Sequence, residues 1–223
     1  MTTRFILVRH GETNSSKERR FAGATDTPLS DVGHEQALVL AKRLRAVRID
    51  VMHVSPLLRC QQTAAPITDV TGRKATIVED LRECHFGEWE DLTVTEVLEK
   101  WPDDLTKWAS DDTIPPPGGE CWADLADRME RWFGAALERY ENRTVLAVTH
   151  GGAIISLARR VLQIPREAMD AFLVETGSVS MIHVNEGRKR LRLWNDITHQ
   201  RDPLMETASL PGYGPARPPR ATT

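Results

Sequence analysis

Short runs of apolar residues, each bounded by polar residues, recur along the chain and are typical of buried β-strands. Four such runs occupy residues 5–8, 50–55, 75–79 and 144–149. Other stretches repeat apolar residues at helical spacing, and these cover residues 31–47, 56–70 and 122–140. Ser30 is placed to cap the first of these helices. Strands and helices therefore alternate, which predicts an α/β protein with a mostly parallel central sheet.

A less regular segment follows the third strand. Residues 92–108 predict short helices that are interrupted by Pro102, and residues 114–120 predict an extended loop because they are rich in proline and glycine. We expect this part of the chain, about residues 92–120, to form a cover over a site at the edge of the sheet.

The remainder of the chain predicts a hairpin and a tail. Residues 178–184 and 190–194 are joined by a short Asn-Glu-Gly turn and predict a closing β-hairpin. No low-complexity or Ser/Gly-rich linker divides the 223 residues, so a single domain is expected over residues 1–206. The proline, glycine and arginine content of residues 207–223 predicts a flexible C-terminal tail.

Charge, cysteine spacing and the length of the apolar runs limit the kinds of molecule that the protein is expected to bind. The chain carries 29 basic and 32 acidic side chains, a net charge of -3, which argues against a nucleic-acid partner. Three cysteines without Cys-x-x-Cys spacing indicate neither a disulfide framework nor a zinc site. With no signal-like or bilayer-length apolar run, we expect a soluble cytoplasmic protein without a membrane partner. The oligomeric state stays open, a homodimer included.

Basic residues follow two of the predicted strands. Arg9 and His10 end the first, His150 ends the fourth, and Arg59 begins the helix after the second. The carboxyl ends of parallel strands meet at one edge of the sheet. A neutral imidazole there can act as a nucleophile, and a guanidinium can bind an oxyanion through two hydrogen bonds. The helix that begins near Gly151 offers backbone N–H groups to an anion. Arg9 and His10 alone equally fit a capping histidine beside a surface arginine, but the combination suggests a phosphate site.

Seven motifs carry a resemblance to a known family. They lie, in chain order, at residues 9–13, 20–23, 26–30, 33–37, 55–64, 81–87 and 149–152. Their order and spacing resemble the histidine phosphatase superfamily, the phosphoglycerate-mutase-like proteins, from about residue 4 to residue 194. The resemblance implies a three-layer α/β/α fold and phosphoryl transfer that needs neither a metal nor another cofactor.

The resemblance also implies catalytic roles. His10 is expected to attack phosphorus through one ring nitrogen and form a phosphohistidine, while the Gly11 carbonyl holds the other nitrogen. Glu83 is expected to protonate the leaving oxygen and then to deprotonate the attacking water. The residues expected to neutralise phosphate oxygens are Arg9, Arg59 and His150. The residues predicted to bind the substrate or its phosphate are Arg9, Gly11, Ser16, Ala22, Gly23, Arg59, His85, His150 and Gly151.

Departures from the family pattern favour a phosphatase over a mutase. Ser16 stands where relatives usually carry an asparagine that donates to phosphate, and serine can donate only with a shorter reach. Cofactor-dependent mutases have threonine at the position of Ala22, a lysine near Val94 and two arginines after a tryptophan, whereas Trp108 here is followed by alanine and serine. The residues that would grip a second acidic group are therefore missing, and residues 116–120 resemble the phosphatase branch.

Acidic residues in the cover lead to the same prediction, because they are expected to repel a bisphosphate. They are Asp103, Asp104, Asp111 and Asp112. We therefore predict a metal-independent phosphatase that acts on phosphomonoesters of small metabolites. A cofactor-dependent phosphoglycerate mutase and a non-catalytic regulator that binds a phosphate ligand are the alternatives.

Overall fold

The protein is described by a computed structural model over residues 2–200, and the predicted tail at residues 207–223 lies outside the described residues. The strands are β1 (Thr2–Arg9), β2 (Val51–Val54), β3 (Ala75–Ile77), β4 (Thr144–Thr149), β5 (Val179–Asn185) and β6 (Arg188–Asp196). Within residues 2–200 they form one six-stranded sheet in the order β3-β2-β4-β1-β5-β6.

The sheet is mostly parallel, as the sequence predicts. Strands β3, β2, β4 and β1 pair in parallel, while β5 is antiparallel to both β1 and β6. The predicted hairpin is confirmed as β5 and β6. Arg9 lies opposite Thr149, and Val54 lies opposite Val148. The chain therefore leaves β1, β2 and β4 at the same edge of the sheet.

The predicted helices are also confirmed, with their ends shifted by a few residues. The α-helices are α1 (Asn14–Lys17), α2 (Asp31–Leu44), α3 (Leu58–Thr71), α4 (Val94–Lys100), α5 (Pro102–Ser110), α6 (Trp122–Arg139) and α7 (Gly151–Leu162). Of these, the short α1 lies in the loop after β1, where the sequence predicts no helix. The Ser30 hydroxyl caps α2 by accepting a hydrogen bond from the Gly33 N–H at 3.1 Å. Pro102 begins α5, where its missing N–H costs nothing.

Two hydrophobic clusters fill the space on either side of the sheet. Phe5 and Leu7 belong to the cluster that α6 and α7 cover, whereas Ile6 and Val8 belong to the cluster that α2 and α3 cover. Alternate residues of a strand point to opposite faces, so a central strand with helices on both faces reads as one continuous apolar run. Burial of each such side chain stabilises the folded protein by about 1.5–3 kcal/mol. The three-layer α/β/α arrangement is thereby confirmed.

The predicted cover consists of α4, α5 and the loop before α6. Val97, Leu105 and Trp108 bury their side chains in the larger cluster, so the cover is packed onto the body of the protein. Within residues 2–200, no helix combines the length and the apolar character that crossing a bilayer requires.

Candidate active site

His10 lies directly after β1, and only 4% of its surface is exposed. Its Nδ1 lies 2.7 Å from the Gly11 carbonyl oxygen. Since a carbonyl only accepts, Nδ1 carries the proton and Nε2 keeps its lone pair. Burial, reinforced by the charges of Arg59 and Arg9, holds the pKa of His10 well below its usual value, so the ring is neutral at neutral pH.

Gly11 holds the loop that carries His10. Its N–H donates to the Thr63 hydroxyl at 3.0 Å, and a Cβ at this position would lie 2.5 Å from the Gly33 carbonyl oxygen. Only glycine allows this close approach. Gly11 is not among the residues that line the cavity described below. The sequence predicts that Gly11 contacts phosphate. In the structure its carbonyl orients His10, and its N–H is already bound to Thr63.

His150 follows β4, and its ring centroid lies 5.2 Å from that of His10. Arg59 Nε donates to His150 Nδ1 at 3.2 Å, so the proton of the neutral ring lies on Nε2, which is 2.8 Å from the Ser55 hydroxyl. Burial, followed by the Arg59 charge, lowers the pKa of His150 well below its usual value. The side chain has no exposed surface. His150 therefore binds Arg59 and does not line the cavity described below, and its contact with phosphate stays a prediction.

Arg59 lies in the first turn of α3 and is completely buried. Its two terminal nitrogens donate to the carbonyls of Thr25 and Gly23 at 2.8 and 2.7 Å, and its Nε donates to His150. A guanidinium has five N–H groups, so these three bonds leave two N–H groups for a ligand. Arg9 comes from the end of β1, and its Nη1 donates to the Val174 carbonyl at 2.6 Å.

Glu83 belongs to the loop after β3. One carboxylate oxygen accepts from the Cys84 N–H at 2.9 Å, and the other accepts from the Gly152 N–H at 3.0 Å. A Cβ at Gly152 would lie 2.6 Å from the Glu83 carboxylate, so the glycine makes room for it. The predicted N–H groups at the start of α7 thus hold a carboxylate of the protein.

Arg128 anchors this loop, and it is not among the residues that the sequence predicts for the site. Its guanidinium forms a bidentate ion pair with Glu120, in which both N–O distances are 2.8 Å. The same guanidinium donates to the backbone carbonyls of Asp80, Arg82 and Glu83. The signal was an arginine on the apolar face of α6, where a buried charge requires such partners.

A cavity of about 450 Å³ opens at this edge of the sheet. The predicted residues that line it are Arg9, His10, Ser16, Ala22, Gly23, Arg59, Glu83 and Gly151. The predicted residues that do not line it are Gly11, His85 and His150. Ser16 also belongs to the capping box of α1, because its hydroxyl accepts a hydrogen bond from the Thr13 N–H at 2.9 Å.

His85 does not line the cavity. Half of its side chain is exposed, and its Nε2 lies 3.9 Å from a carboxylate oxygen of Glu90. The prediction that His85 lines the pocket is wrong in this structure, because Phe86 rather than His85 faces the cavity from this loop.

The four acidic residues of the cover are also outside the cavity lining. Asp112 forms ion pairs with Arg159 and Arg166, and the Asp111 carboxylate accepts hydrogen bonds from Thr113. The expected repulsion of a bisphosphate by these side chains is therefore not supported, since none of them faces the ligand space.

The wall of the cavity includes residues that the sequence does not predict. Arg20 and Phe21 come from the loop after α1, and Arg166, Met169 and Phe172 come from the segment after α7. The latter segment contains a 3₁₀ helix at Arg166–Ala171 rather than a long periodic element, so its sequence carries no hydrophobic pattern that predicts a wall. Among residues 2–200, no group of three or more His, Cys, Asp or Glu is arranged to hold a metal ion.

Comparison with known proteins relates this arrangement to a family. Residues 5–197 match the model of the histidine phosphatase superfamily (branch 1). The chain is 31% identical over 193 residues to the adenosylcobalamin/alpha-ribazole phosphatase of Escherichia coli K12, an alignment that covers 86% of this chain and 95% of that protein. It is 32% identical over 208 residues to the probable phosphoglycerate mutase GpmB of Salmonella choleraesuis, with 90% and 96% covered.

Solved structures give the same relationship. Bacillus stearothermophilus YhfR superimposes with a TM-score of 0.83 at 30% identity, and the match covers 89% of this chain and all of that one.

Three mycobacterial relatives matched by sequence are 33% identical over 195 residues, and the chain spans about half of their length, 54%.

Proposed function

The chain belongs to the histidine phosphatase superfamily, and we propose that it is a phosphoric monoester hydrolase that acts on small metabolites, without a metal, through a phosphohistidine on His10. The observation that carries the proposal is the state of His10. Its ring is neutral, its Nδ1 is bound to a carbonyl, and it borders a cavity that Arg9, Arg59 and Glu83 also line.

In the first step, the lone pair of His10 Nε2 attacks phosphorus, and the bond between phosphorus and the ester oxygen breaks. The ester oxygen leaves with that electron pair and takes the proton of the Glu83 carboxyl. The ring becomes positively charged, and its Nδ1–H bond to the Gly11 carbonyl favours this charged form.

In the second step, a water molecule gives a proton to the Glu83 carboxylate and attacks phosphorus. The bond between phosphorus and nitrogen breaks, its electron pair returns to His10, and inorganic phosphate is released. Glu83 therefore serves first as acid and then as base, and its two backbone hydrogen bonds support both roles by fixing its position.

Arg9 and Arg59 supply positive charge to the phosphate oxygens. Arg59 is held by two backbone carbonyls and by His150 before any ligand binds. A donor that is already oriented stabilises developing charge without the cost of reorganisation. His150 supports catalysis through Arg59 under this proposal.

Rapid quenching with a ³²P-labelled monoester tests the nucleophile. The wild-type protein is expected to trap a phosphoryl group that is labile in acid and stable in alkali, as a phosphorus–nitrogen bond is. The His10→Ala variant is expected to remain unlabelled, and His34→Ala, which removes an exposed histidine on α2, is the matched control. Label that persists in folded His10→Ala protein means that the nucleophile is another residue.

Chelation tests the absence of a metal requirement. Turnover of p-nitrophenyl phosphate is expected to be unchanged after exhaustive dialysis against EDTA. Loss of turnover that added Mg²⁺ or Zn²⁺ restores would overturn the metal-independent mechanism.

The role of Glu83 is tested with two leaving groups. Glu83→Gln is expected to lower kcat/KM by about 10²–10⁴-fold for an alkyl phosphate, whose leaving oxygen needs a proton, and far less for p-nitrophenyl phosphate. The ratio kcat/KM is used because kcat can report hydrolysis of the phosphohistidine instead. Equal losses on both substrates mean that Glu83 only positions the substrate.

Mutase activity is the second candidate, because the Salmonella choleraesuis relative is named a probable phosphoglycerate mutase. Incubation with 3-phosphoglycerate and catalytic 2,3-bisphosphoglycerate discriminates the two functions. A phosphatase is expected to release inorganic phosphate, whereas a mutase forms 2-phosphoglycerate faster than it releases phosphate.

A further inference from the structure

The part of the cavity beyond the phosphate-binding residues has an apolar wall. Aromatic and sulfur-containing side chains from five separate segments form much of it, namely Phe21, Phe86, Trp108, Trp122, Met169 and Phe172. Phe86 meets Trp122 edge to face with centroids 6.1 Å apart, and Trp108 lies 5.5 Å from Trp122. Such a wall offers apolar surface and ring faces to a ligand, with few groups that could bind a polar one.

The cations at this wall already have anionic partners. Besides Arg9 and Arg59, the arginines that line the cavity are Arg20 and Arg166. Arg20 forms ion pairs with Glu18 at 2.7 Å and with Glu96 at 3.1 Å. A second acidic group on a substrate would have to compete with these carboxylates for Arg20.

Arg166 is bound in the same way. Its Nη1 pairs with the Asp112 carboxylate, and its Nη2 donates to the carbonyls of Trp108 and Ala109 at 3.1 and 2.6 Å. Asp112 is held in turn by Arg159 at 2.9 Å. Arg166 therefore ties the segment after α7 to the cover instead of presenting an unbalanced charge to the cavity.

From these contacts we propose that the leaving group of the physiological phosphomonoester is uncharged and largely apolar, an aromatic or alkyl alcohol without a second acidic group. The inference rests on the proposed phosphatase activity and adds the substrate class. Arg9 and Arg59 receive the phosphate, and the apolar wall receives the carbon skeleton.

Two primary alkyl phosphates test the preference while keeping the leaving oxygen of the same type. The kcat/KM for 2-phenylethyl phosphate is expected to exceed that for O-phosphoserine by about 100-fold or more, because an apolar pocket gains tenfold or more from added apolar surface. An equal or higher kcat/KM for O-phosphoserine overturns the inference and leaves the phosphatase proposal intact. No turnover of any monoester, with no label on His10, overturns the phosphatase proposal itself.

A truncation of the wall tests where the preference arises. Phe172 is partly exposed, and its ring contacts Trp194 edge to face with centroids 5.2 Å apart. Phe172→Ala is expected to lower kcat/KM about 10-fold for 2-phenylethyl phosphate and to leave methyl phosphate unchanged. Leu38→Ala, which removes an exposed apolar side chain on α2, is the matched control. The same loss on both substrates overturns the assignment of the wall to the leaving group.

Removal of the carboxylate that pairs with Arg166 tests whether ion pairing keeps this arginine from binding a second acidic group on the substrate. Asp112→Asn removes the carboxylate that faces Arg166 and is expected to raise kcat/KM for O-phosphoserine about 10-fold without a gain for 2-phenylethyl phosphate. Glu18→Gln together with Glu96→Gln makes the same test at Arg20 if Asp112→Asn fails to fold, because both carboxylates pair with Arg20 and glutamine can keep the cap that Glu96 provides for α4. No gain on O-phosphoserine with folded protein means that ion pairing does not set the specificity.

Discussion

The ends of β1 and β4 are alike in almost every local respect, and they carry histidines with different partners. His10 and His150 each follow an apolar strand, precede a glycine and are buried with a lowered pKa. His10 binds the Gly11 carbonyl through one nitrogen and borders the cavity. His150 has both nitrogens in hydrogen bonds, to Ser55 and to Arg59.

The difference shows that a strand end provides position and a neutral ring, whereas the partners of the ring decide what it can do. An imidazole with an available lone pair can attack phosphorus. An imidazole whose lone pair already accepts from a guanidinium can orient that guanidinium. The following predictions test this distinction, beginning with the largest expected effect.

Replacement of each histidine by asparagine separates the two roles. His10→Asn is expected to lower kcat on the order of 10⁶-fold, the scale observed when a covalent nucleophile is removed. His150→Asn is expected to lower kcat by about 10²–10³-fold, as the loss of one oriented donor does, and to retain phosphoryl labelling. Steady-state and rapid-quench kinetics on both folded variants make the comparison. Equal losses, with label absent from both, would contradict it.

A double-mutant cycle tests whether His150 acts through Arg59. If it does, His150→Asn together with Arg59→Lys is expected to lose little more kcat/KM than the worse single variant, with a coupling energy of about 0.5–3 kcal/mol. Pairing His150→Asn with Ser16→Ala is the control, because no hydrogen bond joins these residues in the described structure. Additive losses in the first cycle argue that His150 contacts the phosphate independently.

The pH dependence of stability tests what the two histidines share. Each has a lowered pKa in the folded protein, so the unfolded chain binds more protons below the ordinary histidine pKa of about 6.5. The stability that depends on the neutral histidines is therefore expected to be fully present above this pH. Below it, the free energy of unfolding is expected to fall by up to about 1.4 kcal/mol per pH unit for each histidine. Urea unfolding between pH 8 and pH 5 measures the slope. His10→Asn and His150→Asn are each expected to flatten it by a similar amount, and an unchanged slope in either variant would show that its histidine is protonated alike in both states.

Ser55→Ala has the smallest expected effect. The Ser55 hydroxyl is the partner of His150 Nε2 at 2.8 Å, and its loss leaves a buried N–H without that acceptor. The free energy of unfolding is expected to fall by about 1–3 kcal/mol, with His10 labelling unchanged. Loss of labelling in stable Ser55→Ala protein would mean that the two strand ends are not separable.

Much of the fold follows from local pattern. Continuous apolar runs predict the central strands because helices cover both faces of the sheet, and helical spacing predicts α2, α3 and α6. The approach of Arg9, His10, Arg59 and His150 also follows, since parallel strands end at one edge. Only its motif identifies Glu83 in the sequence, because a single glutamate has no periodicity that marks a site.

Other features depend on contacts between distant segments. Arg128 holds the Glu83 loop from α6, and Asp112 in the segment after α5 forms an ion pair with Arg166 in the segment after α7. Nothing near either residue in the sequence indicates its partner. The same holds for His85, whose orientation toward Glu90 follows from the packing of its loop.

The sequence by itself determined the alternation of strands and helices, the edge at which the basic residues meet, and the family. The tertiary structure decided which histidine keeps a lone pair, which arginines are held in ion pairs and which residues form the apolar wall. The physical reason is that hydrophobic periodicity reports burial along one segment, whereas a hydrogen bond or an ion pair requires two atoms within about 3 Å, and in this site those atoms come from segments far apart in the chain.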